Sequence, residues 1–140
     1  MSHLTQIRVR GYHLDLYGHV NNARYLEFLE EARWAWFESG GDVNRFQDRG
    51  WGFAAVNINI SYRRPALLGE VLEIRTSLGR FGRKSGVIRQ DVVLADSGQR
   101  VADADVTFCI IDLASGRALA LDDELRVALG AQTEADDGGV

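Results

Sequence analysis

The sequence predicts an α+β fold in which an antiparallel β-sheet packs around one long α-helix. Two patterns carry this prediction. Apolar residues recur at helical spacing over residues 22–38, and four later segments alternate apolar and polar residues with a period of two. The chain has 140 residues, of which 46% are hydrophobic and 26% charged, which is the size and balance of one folded domain.

The elements before the sheet follow one another closely. Residues 6–10 alternate apolar and polar positions and predict a short first strand. A polar loop over residues 11–21 leads to Asn21 and Asn22, which are candidate N-caps because asparagine accepts hydrogen bonds from free helical N–H groups. The glycine pair at residues 40–41 is expected to end the helix.

Four strands are expected after the helix, in the order of a simple meander. They are predicted at residues 53–62, 72–78, 88–94 and 102–110. In the first of these strands Val56, Ile58, Ile60 and Tyr62 are expected to share one face, the one towards the core. A short helix is expected to open near Asp122, where acidic residues suit a helix N-terminus.

The charge of the chain narrows the classes of partner. Twenty acidic against 16 basic residues give a net charge of −4, but three of the acids lie in residues 131–140, which leaves 17 against 16. We therefore expect a near-neutral domain over residues 1–130, followed by a disordered acidic tail. This balance argues against a nucleic-acid partner.

Cysteine content, the N-terminal residues and the length of apolar stretches limit the expected kinds of site and the expected location of the protein. A single cysteine, Cys109, allows neither an internal disulfide nor a multi-thiolate zinc site, and we expect an inert core thiol there rather than a nucleophile. No metal and no cofactor are expected. The N-terminus lacks a secretory pattern and no apolar stretch is long enough to cross a membrane, so we expect a cytoplasmic protein without a membrane partner.

The densest polar region is the loop before the long helix. Asp15 lies in it, seven residues before Asn22. Free N–H groups and the dipole at a helix N-terminus stabilise developing negative charge, so a carboxylate beside them can attack a carbonyl or activate water. Spacing alone leaves two roles open for Asp15. It can be a reactive carboxylate, or it can, together with His19, form hydrogen bonds that stabilise the loop.

A specific resemblance is carried by the segment RGYHLDLYGHVNNARYLEFLEEARW, residues 10–34. Together with NINISYRRP (57–65), GRKSG (82–86) and FCIIDLASGRALAL (108–121), it resembles the 4-hydroxybenzoyl-CoA thioesterase-like branch of the hotdog-fold superfamily. Within that branch it looks like the thioesterase III group of bacterial long-chain acyl-CoA thioesterases. The resemblance implies a hotdog fold, an acyl-CoA substrate, and a homo-oligomer that is a dimer or a tetramer.

The resemblance also implies roles for individual residues. Asp15 is expected to be the catalytic carboxylate, as nucleophile or as general base for water, and the backbone N–H of Asn22 to polarise the thioester carbonyl. His19 is expected in the same centre, where it orients the loop or acts as a base. The residues expected to bind substrate are Asn21, Tyr25, Arg83, Lys84 and Ser85, of which the last three match a segment that contacts CoA.

The expected activity is hydrolysis of medium-to-long-chain acyl-CoA to a fatty acid and CoA. Two alternatives stay open: an aryl-CoA or 3-ketoacyl thioesterase with the same centre, and a non-catalytic acyl-CoA binding module. Trp34, Trp36 and Phe37 line either an acyl tunnel or simply the core. Arg63 and Arg64 are either solvated surface residues or contacts to a phosphate or another subunit.

Overall fold

The computed structural model describes residues 2–131. Its α-helices and strands are, in chain order, β1 (His3–Arg8), α1 (Asn22–Gly40), α2 (Val43–Arg49), β2 (Trp51–Tyr62), β3 (Val71–Phe81), β4 (Gly86–Leu94), β5 (Arg100–Asp112) and α3 (Asp123–Ala128). A short 3-10 helix, Gly11–His13, follows β1. The predicted α+β class, with one long helix and an antiparallel sheet, is confirmed. The acidic tail predicted from residue 131 onwards lies outside the described residues, apart from Ala131.

The five strands form one antiparallel sheet in the order β1-β3-β4-β5-β2. The meander predicted for the last four strands is wrong at one connection. β3, β4 and β5 are neighbours in the sheet, as predicted. β2, however, lies beside β5 at one edge of the sheet, and β1 lies beside β3 at the other edge. Alternation specifies which residues face the core, whereas it does not specify which strand lies alongside, so the pattern could not give this order.

Helix α1 packs on the inner face of the sheet. Its buried side chains are Tyr25, Phe28, Leu29 and Ala32. They contact inward residues of the strands, including Leu72 of β3, Val92 of β4 and Ala104 of β5. In contrast Leu26 is 39% and Trp34 55% exposed, so α1 keeps one apolar flank outside this core.

Several local predictions are corrected by the structure. The first strand is β1, which pairs with β3 from His3 to Arg8, so Val9 and Arg10 lie after it. Val56 does not face the core but is 57% exposed, because a β-bulge between Ala55 and Asn57 inserts it as an extra residue. The glycine pair ends α1, and α2 follows at once with Asp42 as its N-cap, a helix that the sequence analysis did not predict.

The cysteine prediction also needs correction. Cys109 is half-buried rather than part of the core. It lies between the fully buried Phe108 and Ile110 in β5, and successive side chains of a strand point to opposite faces. Cys109 therefore belongs to the outer face of the sheet. Within residues 2–131, no helix is both long and apolar enough to cross a membrane.

Candidate active site

Asp15 is held in a tight turn of the loop before α1. One carboxylate oxygen, Oδ1, accepts hydrogen bonds from the backbone N–H groups of Tyr17 at 2.9 Å and His19 at 3.2 Å. The turn needs Gly18, whose φ of 79° lies in the left-handed region. No hydrogen bond from residues 2–131 occupies Oδ2. Asp15 therefore has one oxygen fixed by the main chain and one that can react.

The first turn of α1 lies next to this loop. Asn21 is its N-cap, and its side-chain oxygen accepts a hydrogen bond from the N–H of Ala23 at 2.9 Å. The main-chain N–H of Asn22 has no intrahelical partner because it is in the first turn, and none of the described residues accepts it. This N–H is therefore available to a carbonyl oxygen, where the helix dipole adds to its effect.

A cavity of about 440 Å³ brings these groups together. Asp15, His19, Asn21, Asn22 and Tyr25 all line it, so five of the eight predicted site residues share one place. Its opposite wall consists of residues that the sequence analysis did not assign to the site, namely Tyr62 and Pro65, with Arg63 and Arg64 between them. The sequence signals for this wall were the NINISYRRP segment of the resemblance and the open role of Arg63 and Arg64.

Two tyrosines tie that wall to α1. The hydroxyl of Tyr62 donates to the main-chain oxygen of Asn22 at 3.1 Å, and its ring contacts the Tyr25 ring edge-on. Tyr25 is buried, and its hydroxyl oxygen accepts from the N–H of Ala66 at 3.1 Å, which leaves the phenolic proton free to donate. Burial raises the pKa of Tyr25 further above neutrality, so its hydroxyl keeps this proton at neutral pH.

Both arginines of the wall are engaged in ion pairs. Arg64 makes a two-pronged contact with Glu70, at 3.0 Å to each carboxylate oxygen. Arg63 holds the nearly buried Asp103 at 2.9 Å. Hydrogen bonds from these guanidinium groups lower the pKa of Glu70 and of Asp103. These ion pairs hold the two arginine side chains in place after β2, so that only their unused N–H groups are available to a ligand.

The two histidines of the loop differ in role. The His13 ring is buried, and its Nδ1 accepts from the N–H of Arg10 at 2.9 Å. Burial lowers the pKa of His13, which favours the neutral ring that this hydrogen bond requires. His19 contacts Asp15 through its main chain. The His19 N–H donates to Asp15 Oδ1, and the His19 carbonyl accepts from the Asp15 N–H at 2.7 Å. The orientation that we predicted for His19 thus comes from the backbone rather than from the imidazole.

The predicted CoA-binding segment lies elsewhere in the same chain. β3 starts beside the loop, where Val9 donates to the Glu70 carbonyl at 2.9 Å. It runs for 11 residues, which is roughly 35 Å, before Arg83, Lys84 and Ser85 follow in the turn to β4. One chain therefore does not bring these three residues to the Asp15 cavity.

A second cavity, of about 400 Å³, lies further along α1. We call it the aromatic cavity. Its lining includes Trp34, Trp36 and Phe37 of α1, Phe46 of α2, and Trp51 and Phe53 of β2. Glu30 and Arg33 of α1 add the charged groups of its wall. The three α1 aromatics whose role stayed open thus all line a space, and Trp36 and Phe37 also pack against the core.

Comparison with known proteins adds an independent finding. A family model described as the thioesterase-like superfamily matches residues 9–129. The chain belongs to that superfamily. It is 54% identical over 125 residues, covering 89% of this chain and 95% of the other, to the long-chain acyl-CoA thioesterase FadM of Escherichia coli (strain K12). The predicted hotdog-type thioesterase, an enzyme, is confirmed.

Solved structures of thioesterases agree with this fold. The probable thioesterase YbaW from Escherichia coli superposes with a TM-score of 0.86 at 50% identity, over 92% of this chain and 98% of that one. A mutant of 4-hydroxybenzoyl CoA thioesterase in complex with 4-hydroxybenzoyl CoA gives a TM-score of 0.82 at 26% identity, over 93% and 99%. In the present chain, the roles of the individual site residues remain predictions.

Proposed function

We propose that this thioesterase hydrolyses medium-to-long-chain acyl-CoA, with Asp15 as the reactive carboxylate and the Asn22 N–H as the oxyanion donor. The observation that carries the proposal is that one cavity is lined both by Asp15, whose Oδ2 is free, and by Asn22, whose main-chain N–H is unused among the described residues. The name of the FadM relative supports a long-chain acyl-CoA substrate.

The chemistry follows from this pairing. A thioester carbonyl oxygen placed on the Asn22 N–H gains negative charge as its carbon is attacked, and the N–H together with the helix dipole stabilises that charge. Asp15 Oδ2 either attacks the carbon directly, which gives an anhydride that water then opens, or takes a proton from an attacking water. Both routes release CoA as thiolate, and both stay open.

We place the acyl chain along α1, from this centre towards the aromatic cavity. Trp34 lies 12 residues after Asn22 on α1, which is about 18 Å along the helix. The hydrocarbon core of a bilayer is about 30 Å thick and holds two acyl chains end to end, so one long chain spans about 15 Å. A long chain whose carbonyl rests at Asn22 therefore ends among the aromatic residues, which favours long over short substrates.

We further propose a homo-oligomer in which the outer edge of β2 pairs with another copy. β2 is a 12-residue edge strand with no charged residue, whereas the opposite edge, β1, is short and ends in Arg8. Long uncharged edges are sites of pairing, and symmetric self-pairing is the commonest solution. In such an oligomer, Arg83, Lys84 and Ser85 of one copy can reach the Asp15 cavity of the neighbouring copy, although they lie far from the Asp15 cavity of their own chain.

An aryl-CoA thioesterase is the second candidate, favoured by the similarity to 4-hydroxybenzoyl CoA thioesterase. Thiol release from CoA esters of increasing chain length and from 4-hydroxybenzoyl-CoA separates the two, since the proposal expects kcat/KM to rise with chain length. A binding module would release no thiol from any ester.

The test of the centre is Asp15→Asn. We expect kcat to fall by about a hundredfold or more, because the reactive oxygen is lost while the turn can still form. Asp96→Asn, an exposed aspartate in the turn between β4 and β5, is the matched control and should keep wild-type activity. Retained activity in Asp15→Asn would remove Asp15 from its proposed role.

A further inference from the structure

Arg33 extends from α1 towards the sheet instead of into water. Its Nη1 donates to Oε1 of Gln90 at 3.1 Å. Gln90 is fully buried, and its Nε2 donates to the Leu29 carbonyl and to the Thr76 hydroxyl, both at 3.0 Å. The amide is thereby fixed with its oxygen towards Arg33. The guanidinium is held at a defined place on the wall of the aromatic cavity.

The surroundings of this cation are unusual. Among residues 2–131 its hydrogen-bond partner is a neutral amide, and no ion pair with a carboxylate is present. Burial lowers the pKa of Arg33, while the nearby Glu30 carboxylate acts in the opposite direction. Buried arginines are normally paired with carboxylates, so the remaining donors of Arg33 are available to an acceptor oxygen on a wall that is mainly aromatic and aliphatic.

The position of Arg33 matches the far end of a long acyl chain. It lies 11 residues after Asn22, which is about 16 Å along α1. One long chain spans about 15 Å. A plain hydrocarbon end would offer the guanidinium no acceptor, whereas an oxygen at that end would receive its free N–H groups.

We propose that Arg33 binds an oxygen function at the far end of the acyl chain, so that the preferred substrates are long-chain acyl-CoA esters oxygenated at the ω end. This inference rests on the function proposed above. The shared chemistry is an acceptor oxygen, which can belong to an ω-hydroxyl or an ω-carboxylate. Glu30, an exposed residue of the same wall, separates the two, because it accepts from a hydroxyl but repels a carboxylate.

The experiment measures kcat/KM of the full-length protein for palmitoyl-CoA, ω-hydroxypalmitoyl-CoA and the CoA monoester of hexadecanedioic acid. The readout is the ratio of an oxygenated ester to palmitoyl-CoA. We expect Arg33→Met to lower that ratio by about tenfold or more, since a hydrogen bond to a charged donor is lost. Arg117→Met, a change at an exposed residue outside the aromatic cavity, should leave the ratio at its wild-type value.

Two further variants keep the test decisive, because Arg33→Met also removes the donor to buried Gln90. Arg33→Lys retains the cation and should retain most of the ratio. Glu30→Gln should raise the ratio for the dicarboxylic ester if the ligand oxygen is a carboxylate, and lower the ratio for the hydroxy ester if it is a hydroxyl. Equal ratios in wild type, Arg33→Met and Arg33→Lys would overturn the inference while leaving the thioesterase proposal intact. Failure of the wild type to hydrolyse any of the three esters would instead overturn the proposed function.

Discussion

The hydroxyl of Tyr62, at the end of β2, donates a hydrogen bond to the main-chain oxygen of Asn22 at the start of α1, across 3.1 Å. This contact joins the sheet edge to the first turn of α1, where Asn22 lines the cavity. It uses the carbonyl of Asn22, so the N–H of the same residue remains available. The position of the proposed oxyanion donor therefore depends on a residue that is far away in the sequence.

We expect Tyr62→Phe to lower kcat for long-chain acyl-CoA by about threefold to tenfold. One neutral hydrogen bond contributes about 1 kcal/mol, and its loss loosens the helix start without removing the donor. The measurement is thiol release under saturating substrate. Tyr12→Phe is the matched control, because Tyr12 is 70% exposed. A kcat equal to that of wild type would show that Tyr62 does not position the helix start.

The aromatic cavity predicts a chain-length limit. Ala55 lines it from β2, so Ala55→Phe should fill part of the space and move the preferred substrate to shorter chains. Each methylene that is no longer buried costs about 0.8 kcal/mol, which is about fourfold in kcat/KM. Val43→Phe, on α2, should act alike without touching the β2 edge. Ala114→Phe adds equal bulk in an exposed turn, and an identical shift there would contradict the cavity as the cause.

The turn after β3 predicts a contact specific to CoA. Arg83→Ala combined with Lys84→Ala should raise KM for acyl-CoA at nearly unchanged kcat, because phosphate contacts bind ground and transition state alike. The corresponding acyl-N-acetylcysteamine thioester, which lacks the phosphates, should be unaffected. Mixing this variant with Asp15→Asn subunits should restore low-KM hydrolysis if the turn serves a neighbouring copy. Arg117→Ala, in another exposed turn, is the control.

The Arg64 contact predicts acid sensitivity. Its hydrogen bonds lower the pKa of Glu70 in the folded state, so the stabilisation is present above the ordinary carboxyl range and is lost as the pH falls through the lowered value. Glu70→Gln should reduce the free energy of unfolding by about 1 kcal/mol at neutral pH and flatten its decline below about pH 4. Urea unfolding at a series of pH values checks this, with Glu38→Gln as the control. A decline as steep as that of wild type would assign acid sensitivity to other carboxylates.

Much of the site could be predicted because it is local. Asp15, His19, Asn21 and Asn22 lie within eight consecutive residues, so a turn and a helix cap were enough to bring them to one cavity. The cap itself follows from the chemistry of asparagine, and of the two candidates Asn21 and Asn22 the structure has Asn21 as the N-cap. The thioesterase motif extends through the same segment, which is why the resemblance and the geometry agree there.

The sequence by itself determined the helix, the faces of most strands and the loop chemistry, because periodicity and caps act over a few residues. Only the tertiary structure decided which distant segments meet. It placed β2 at the edge next to β5, set Tyr62 against Asn22 across 40 positions, and brought Arg33 to Gln90 across 57. It also separated Arg83 from the cavity by the length of β3. An alternating pattern specifies which side of a strand is buried, whereas pairing order depends on the packing of the whole sheet around α1.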